Sequence, residues 1–291
     1  MPPISILLLA SLLLVFSQSA GDRLQRALTG AMAGQEGAAV VLDVGTGEIL
    51  ASYRMDVAAR RVAAPGSTVK PFTLMALVEA GLVDEETAVF CPLTVRIGER
   101  NVDCSHPPTP DPIDAVAALA YSCNHFFSHL SERLPVAALY GAFSRLGLDS
   151  LSGRWPTEVP GVVRVPASMD AMQLMSIGAD SIRVTPLALA EAYRALALRL
   201  RGPATPELRL VLEGLRAAVL SGTGQQAGSG IVGVAGKTGT SEGHAWFAGF
   251  APAGNPEIVA VVFLEQGTGG SDAAPIAGRV FEVYSPAGGR Q

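Results

Sequence analysis

Pro65-Gly66-Ser67-Thr68-Val69-Lys70-Pro71-Phe72 sets a serine and a lysine three residues apart, directly before an apolar run, Phe72 to Ala80, with helical spacing. Proline damages a helix interior but is tolerated in the first turn, where backbone N–H groups have no intrahelical partner. Pro71 therefore places a helix N-terminus at this motif. On a helix, i, i+3 spacing puts Ser67 and Lys70 on one face, so hydroxyl and amine can meet. A serine hydroxyl is a poor nucleophile until a neighbouring base takes its proton, and a lysine titrating near about 10.4 serves only where its environment lowers that value. The helix dipole also favours negative charge developing near Ser67. Taken alone, Ser-x-x-Lys is common on protein surfaces.

The basic residues sharpen the choice. The chain has 21 of them, and all are arginine except Lys70 and Lys237. A guanidinium stays charged, whereas an amine can be neutralised by burial and act as a base, so both lysines are candidates for chemistry. Lys237 lies in Gly236-Lys237-Thr238-Gly239-Thr240, at the end of an apolar run from Ile231 to Ala235. That stretch offers a cation, two hydroxyls and a glycine that lets backbone approach a ligand. A third piece, Ser122-Cys123-Asn124, joins two helical stretches and presents a hydroxyl and an amide. The bland alternatives are a helix N-cap for this piece and a glycine-rich turn for the other.

Outward from these motifs, the chain reads as sheet, helices, sheet. Ala38 to Val44, a Gly45-Thr46-Gly47 turn and Glu48 to Tyr53 form a predicted hairpin, and Ile231 to Ala235, Ala245 to Ala251 and Glu257 to Leu264 add three strands. Amphipathic helices are expected over Arg23 to Met32 and Ala274 to Tyr284, covering that sheet. Between the strands, Phe72 to Ala80, Ile113 to Tyr121, Phe126 to Leu134, Val136 to Leu146 and Pro186 to Leu200 have helical composition. The expected fold is α+β: a five-stranded antiparallel sheet flanked by terminal helices, with a helical lobe over about 72–215 inserted in it. A site belongs in the cleft between the lobes.

With 291 residues, 49% hydrophobic and 16% charged, the chain is not disordered, and its net charge of −5 carries no long basic face for nucleic acid. Ile4 to Phe16 is an apolar run followed by Ser17-Gln18-Ser19-Ala20, which reads as a secretory leader or an uncleaved anchor over 1–20. The mature part, 21–291, is then expected outside the cytoplasmic membrane, with residues 4–16 the only membrane contact if uncleaved. Cys91 and Cys104 flank a segment resembling a short hairpin, and in an oxidising compartment they are expected to pair. The bridge would contribute roughly 3 kcal/mol in the chain-entropy model. Cys123 is expected to be a small buried residue. No metal site is expected, since CxxC pairs are lacking and His125 and His129, though spaced i, i+4, have no HExxH glutamate. A phosphate-binding loop ending in Gly236-Lys237-Thr238 fails on spacing, because Ile231 stands where its first glycine belongs.

The ordered set Ser67-x-x-Lys70, Ser122-x-Asn124 and Lys237-Thr238-Gly239 resembles the penicillin-binding protein transpeptidase domain of the serine D,D-peptidase and β-lactamase superfamily. The hairpin Leu42 to Ala51, Thr185 to Ala190, Ser221-Gly222-Thr223-Gly224 and Trp246 to Pro252 carry the resemblance across most of the chain. It implies acylation of Ser67 by a peptidoglycan stem peptide ending in D-Ala-D-Ala, with Lys70 as base and Ser122 as proton relay. Asn124 would hold Lys70 and the substrate amide, while Lys237, Thr238, Gly239 and Thr240 would bind the substrate, chiefly its terminal carboxylate. Backbone N–H groups of Ser67 and Thr240 would form the oxyanion hole. No cofactor is implied, β-lactams become covalent inhibitors, and cell-wall synthesis proteins are admissible partners. A β-lactamase needs a deacylating base, and the acid that suggests itself, Glu158, lacks the surrounding Glu-x-x-Leu-Asn pattern. Class D enzymes carry an apolar residue in place of Asn124 and class A enzymes an aspartate in place of Cys123, which favours a penicillin-binding protein. The length suggests a stand-alone transpeptidase domain; carboxypeptidase action and a non-catalytic sensor or scaffold remain as alternatives.

Overall fold

The structure is a computed structural model and describes residues 21–230 and 232–284. The leader expected over 1–20 lies outside them. Helix α1 spans 21–31, followed by strands β1 (Gly37–Asp43) and β2 (Ile49–Tyr53). The helical part contains α2 (Lys70–Glu79), α3 (Ala115–Ala120), α4 (Asn124–Ser131), α5 (Val136–Arg145), α6 (Met169–Ser176), α7 (Pro186–Leu200) and α8 (Pro206–Leu220). Strands β3 (Ala235–Ser241), β4 (His244–Ala251) and β5 (Ile258–Leu264) return the chain to the sheet, and α9 (Ala274–Val283) closes it.

The sheet is antiparallel throughout, in the order β2-β1-β5-β4-β3, as the sequence leads one to expect. Successive side chains of a strand point to opposite faces, and both faces here are covered. Ala38, Val40 and Leu42 of β1 join Trp246, Ala248 and Phe250 of β4 in the core shared with the helical part. Their neighbours Ala39, Val41, Ala245 and Phe247 face the other way, against Leu24, Leu28 and Met32 of the α1 segment and Val280 and Phe281 of α9. The i, i+4, i+8 spacing of Leu24, Leu28 and Met32 gives α1 the single apolar face this requires.

Local chemistry sets the helix starts. Asp114 accepts the Ala117 N–H at 2.7 Å to cap α3, Ser168 caps α6 through the Ala171 N–H at 3.2 Å, and Thr185 caps α7 through the Ala188 N–H at 3.0 Å. Helices α6 and α8 are additions to the sequence reading, although Ser168 and the Thr205-Pro206-Glu207 start of α8 carry ordinary N-terminal signals. One strand is displaced. Among the described residues of the 231–235 run only Ala235 is in a strand; the strand is Ala235–Ser241, so Gly236-Lys237-Thr238 lies within it. Seven register pairs with β4, from Ser241 with His244 to Ala235 with Phe250, outweigh the poor strand propensity of its two glycines.

Helix α7 runs through the centre, and Tyr193 on it is fully buried, its ring 5.3 Å edge-on from Phe72. The Tyr193 hydroxyl donates to the Thr68 carbonyl oxygen at 2.8 Å, tying α7 to the turn that carries Ser67. Tyr193→Phe leaves that carbonyl without this donor in a dry environment and is expected to lower unfolding free energy by about 1–3 kcal/mol, measured by urea denaturation.

Candidate active site

Ser67 sits in a 3-10 turn, Gly66–Val69, and α2 begins at Lys70. In a 3-10 turn residues i and i+3 eclipse each other, so Ser67 and Lys70 share one side of this tighter turn, where the Lys70 backbone N–H donates to the Ser67 carbonyl. Pro71 lies in the first turn of α2, as its sequence position requires. The turn is held on several sides. Thr68 Oγ1 donates to the Pro65 carbonyl at 2.8 Å and the Gly66 N–H donates to the Gly178 carbonyl at 3.0 Å. Gly66 adopts φ 54°, where a side chain is strained. A Cβ on Gly239 would come within 2.6 Å of the Pro65 carbonyl oxygen, so strand β3 can lie against the turn only without a side chain there. The glycine that the sequence marks for close approach therefore approaches the nucleophile's own turn.

Lys70 is fully buried. Its Nζ donates to the Ser122 carbonyl at 2.7 Å, to Asn124 Oδ1 at 2.7 Å and to Ser122 Oγ at 3.2 Å, which joins the first and second motifs. Burial pushes its ammonium down to about 7, partly opposed by the nearby cysteine thiols, which favour the charged form. At neutral pH a substantial fraction of this amine is unprotonated and able to accept a proton.

Ser122 and Asn124 occupy the α3–α4 junction. Cys123, not Ser122, caps α4, with its Sγ accepting the Phe126 N–H at 3.4 Å. Ser122 has φ 59°, an uncommon conformation for a residue with a side chain. Asn124 uses both ends of its amide: Oδ1 accepts the Lys70 bond, and Nδ2 donates to the Asp103 carbonyl at 2.7 Å.

The third motif divides. Thr238, Gly239 and Thr240 line a cleft of about 470 Å³ together with Ser67, Ser122 and Asn124. Lys237 is fully buried and does not line it; its Nζ donates to the Thr238 carbonyl at 3.0 Å. Burial drives its pKa well below the ordinary lysine value, and the Lys70 charge lowers it further. The Lys237 amine is thus buried beside the cleft-lining residues rather than exposed among them. Five further cleft residues, Asp103, Ser105, Thr223, Thr268 and Gly270, are additions. Thr223 Oγ1 lies 2.6 Å from Thr238 Oγ1, and Thr268 and Gly270 border the same opening. Thr240 Oγ1 accepts the Gly269 N–H at 3.0 Å. The Ser221–Gly224 stretch carried the family resemblance in the sequence, but its hydroxyl is brought to the cleft only by the fold.

Other sequence candidates fall elsewhere. Glu158 caps a surface turn, accepting from Ser152 Oγ at 2.6 Å and from the Ser152 and Gly153 N–H groups, and does not line the cleft. His125 and His129 stack on each other with ring centroids 5.2 Å apart. The Cys91–Cys104 disulfide is not formed. The hairpin between these residues is present, Thr94–Ile97 pairing with Arg100–Asp103, but the two sulfurs are 3.5 Å apart against about 2.05 Å for a bond. Cys123 Sγ lies 3.5 Å from that of Cys91 and 3.9 Å from that of Cys104, so all three thiols converge without bonding.

Known proteins resemble this chain in sequence and in fold. The sequence is 29% identical over 270 residues to peptidoglycan D,D-transpeptidase PbpA of Mycobacterium tuberculosis, covering 75% of this chain and 54% of that protein. It is 26% identical over 343 residues to peptidoglycan D,D-transpeptidase MrdA of Acinetobacter baumannii, covering 87% of this chain and 51% of that protein. The chain thus spans about half the length of these curated relatives. In fold it is similar to Pseudomonas aeruginosa PBP2 in complex with WCK 5153, with a TM-score of 0.80, 24% identity, and 89% of this chain and 76% of that one covered. The D,D-transpeptidase domain of the peptidoglycan glycosyltransferase from Eggerthella lenta gives a TM-score of 0.78 at 24% identity, covering 90% of this chain and 80% of that one. Residues 37–282 match the family described as the penicillin binding protein transpeptidase domain, and with the three motifs gathered around one cleft, the chain belongs to that family.

Proposed function

We propose that the chain is a serine D,D-transpeptidase acting on peptidoglycan stem peptides that end in D-Ala-D-Ala. The observation that carries this reading is the buried Lys70 amine, poised near neutrality and bonded to Ser122 and Asn124, beside a serine that opens onto the same cleft. The names of the curated relatives support the substrate class.

In this mechanism Ser67 Oγ attacks the penultimate D-Ala carbonyl while its proton passes to Lys70. Backbone N–H groups of Ser67 and Thr240 receive the developing oxyanion, each such donor being worth about 3 kcal/mol. Ser122 Oγ, already bonded to Lys70 Nζ, returns the proton to the terminal D-Ala nitrogen as the carbon–nitrogen bond breaks. An amine from a neighbouring stem then attacks the acyl-enzyme carbonyl, its proton passing by way of Lys70 to Ser67 Oγ as the ester bond breaks and the new amide forms. The terminal carboxylate is received by the Thr238, Thr240 and Thr223 hydroxyls, with the buried Lys237 amine, bonded to the Thr238 carbonyl, beside them. A β-lactam presents a similar acylating carbonyl and carboxylate, and the absence of Glu158 from the cleft leaves the ester without that base for hydrolysis. Such a substrate places the protein outside the cytoplasmic membrane, in keeping with the apolar run Ile4 to Phe16 as leader or anchor. No helix among the described residues is long and apolar enough to cross a membrane.

Incubation with fluorescent penicillin is expected to give a stable adduct on Ser67, seen by peptide mapping and absent in Ser67→Ala. Penicillin consumed without an adduct would mean a β-lactamase, penicillin left intact without an adduct would favour the scaffold, and tight binding of a stem peptide without D-Ala release would favour the sensor. Release of D-Ala without an amine acceptor would mark a carboxypeptidase. Acylation requires the neutral amine, so its rate should rise with pH through about 7 and fall below it, a profile stopped-flow labelling would trace. Lys70→Arg, which cannot lose its proton, is expected to slow acylation by about 10²–10⁴-fold. Thr223→Val removes the hydroxyl partner of Thr238 and should reduce the second-order acylation constant by about 5- to 10-fold, in line with loss of one hydrogen bond worth about 1 kcal/mol.

A further inference from the structure

The three cysteines and one histidine meet at a point that acyl transfer does not use. The Sγ atoms of Cys91, Cys104 and Cys123 form a triangle with edges of 3.5, 3.5 and 3.9 Å, and His106 completes a group whose ligand atoms all lie within 4.8 Å of one another. Tetrahedral zinc bonded to sulfur at about 2.3 Å holds its sulfurs about 3.8 Å apart, close to the spacing found. Weak S–H···S contacts join the three thiols, and no pair of them is a disulfide.

The histidine provides the independent sign. His106 is buried, and its Nδ1 lies 2.8 Å from the Pro107 carbonyl oxygen. An oxygen there can only accept, so Nδ1 carries the proton and Nε2 presents a lone pair. That Nε2 is buried with no hydrogen-bond partner among the described residues, which is costly unless something binds it. Each sulfur also accepts a backbone N–H: Leu93 to Cys91 at 3.4 Å, Asn124 to Cys104 at 3.2 Å and Phe126 to Cys123 at 3.4 Å. Such donors stabilise thiolate charge around a metal.

We propose that Cys91, Cys104, Cys123 and His106 bind one zinc ion in a closed Cys3His site that holds the Ser122–Asn124 loop in position. Binding releases the three thiol protons to solvent and involves no change of oxidation state. Four protein ligands leave no open coordination position, so the ion's role is structural. Its consequence reaches the cleft through the chain itself: Cys123 stands between Ser122 and Asn124, and Cys104 follows Asp103, whose carbonyl receives the Asn124 amide. The metal fastens the 94–103 hairpin to the loop that contacts Lys70.

The full chain, purified without chelator, should contain one equivalent of zinc by elemental mass spectrometry. Replacement by cobalt should give the intense d–d and thiolate-to-cobalt charge-transfer bands of a tetrahedral thiolate site. Cys104→Ser and His106→Asn should each lose the bound metal or weaken it at least tenfold, and the milder His106→Asn, checked for native circular dichroism, guards against misfolding. A strong chelator should lower the melting temperature of the wild type but not of these variants. Absence of zinc after growth and reloading with zinc would overturn the proposal, whether the thiols are then reduced or joined with the mass loss of two hydrogens. Zinc retained in full by both variants would overturn it too, by placing the metal elsewhere. Penicillin labelling of Ser67 is a separate readout: labelling without zinc removes only the metal site, and zinc without labelling removes only the transpeptidase reading.

Discussion

A lysine ammonium with no access to water must find partners inside the protein, and that requirement organises this site. Lys70 Nζ has three donors when charged and uses them on the Ser122 carbonyl, Ser122 Oγ and Asn124 Oδ1. Leaving a buried charge unpaired would be strongly destabilising, so the start of α2 and the α3–α4 junction cannot separate without exposing or stranding it. The burial that makes the pairing obligatory also lowers the proton affinity of the amine, which turns a structural demand into a base. The second buried lysine, Lys237, is pushed the same way, by its own burial and then by the Lys70 charge. Neither effect requires a carboxylate, and no aspartate or glutamate side chain bonds Lys70.

The other requirement is backbone proximity. The Ser67 turn lies between strand β3 and the segment ending α6, and each contact is made where a glycine removes the side chain. A Cβ on Gly178 would overlap the Gly66 carbonyl, one on Gly239 would meet the Pro65 carbonyl at 2.6 Å, and one on Gly269 would meet the Gly239 carbonyl at 2.6 Å. The nucleophile is thus placed by main-chain packing, with the Tyr193 and Thr68 hydroxyls closing the turn from the core side.

These two kinds of constraint were unequally visible in the sequence. Ser67 and Lys70 could be paired because their spacing is local, and Pro71 marked the helix start for a reason that holds in any fold. The five-stranded sheet was legible from alternating apolar runs, but β3 was misplaced by several residues, since Gly236-Lys237-Thr238-Gly239-Thr240 has little strand propensity and owes its conformation to pairing with β4. Thr223 offered a hydroxyl like any other until α8 delivered it to Thr238. Cysteine pairing failed for the same reason. Cys91 and Cys104 read as a loop-closing pair along the chain, and only folding brings Cys123 and the buried His106 to within 4.8 Å of them.

The convergence of both constraints on one loop explains its strain. Ser122 holds φ 59°, a conformation that a side-chain-bearing residue keeps only where its surroundings over-determine it. From the cleft side, Lys70 fixes both the carbonyl and the hydroxyl of Ser122; from the opposite side, the Cys123 sulfur is fixed by the Phe126 N–H and by its fellow thiols. Consecutive residues therefore point in opposite directions into two rigid clusters, and the unusual backbone angle between them is the geometric consequence. A proton relay needs its hydroxyl held within hydrogen-bond reach of the base through a full reaction cycle. Anchoring the neighbouring residue in a sulfur-rich cluster supplies that rigidity without placing any additional group in the cleft.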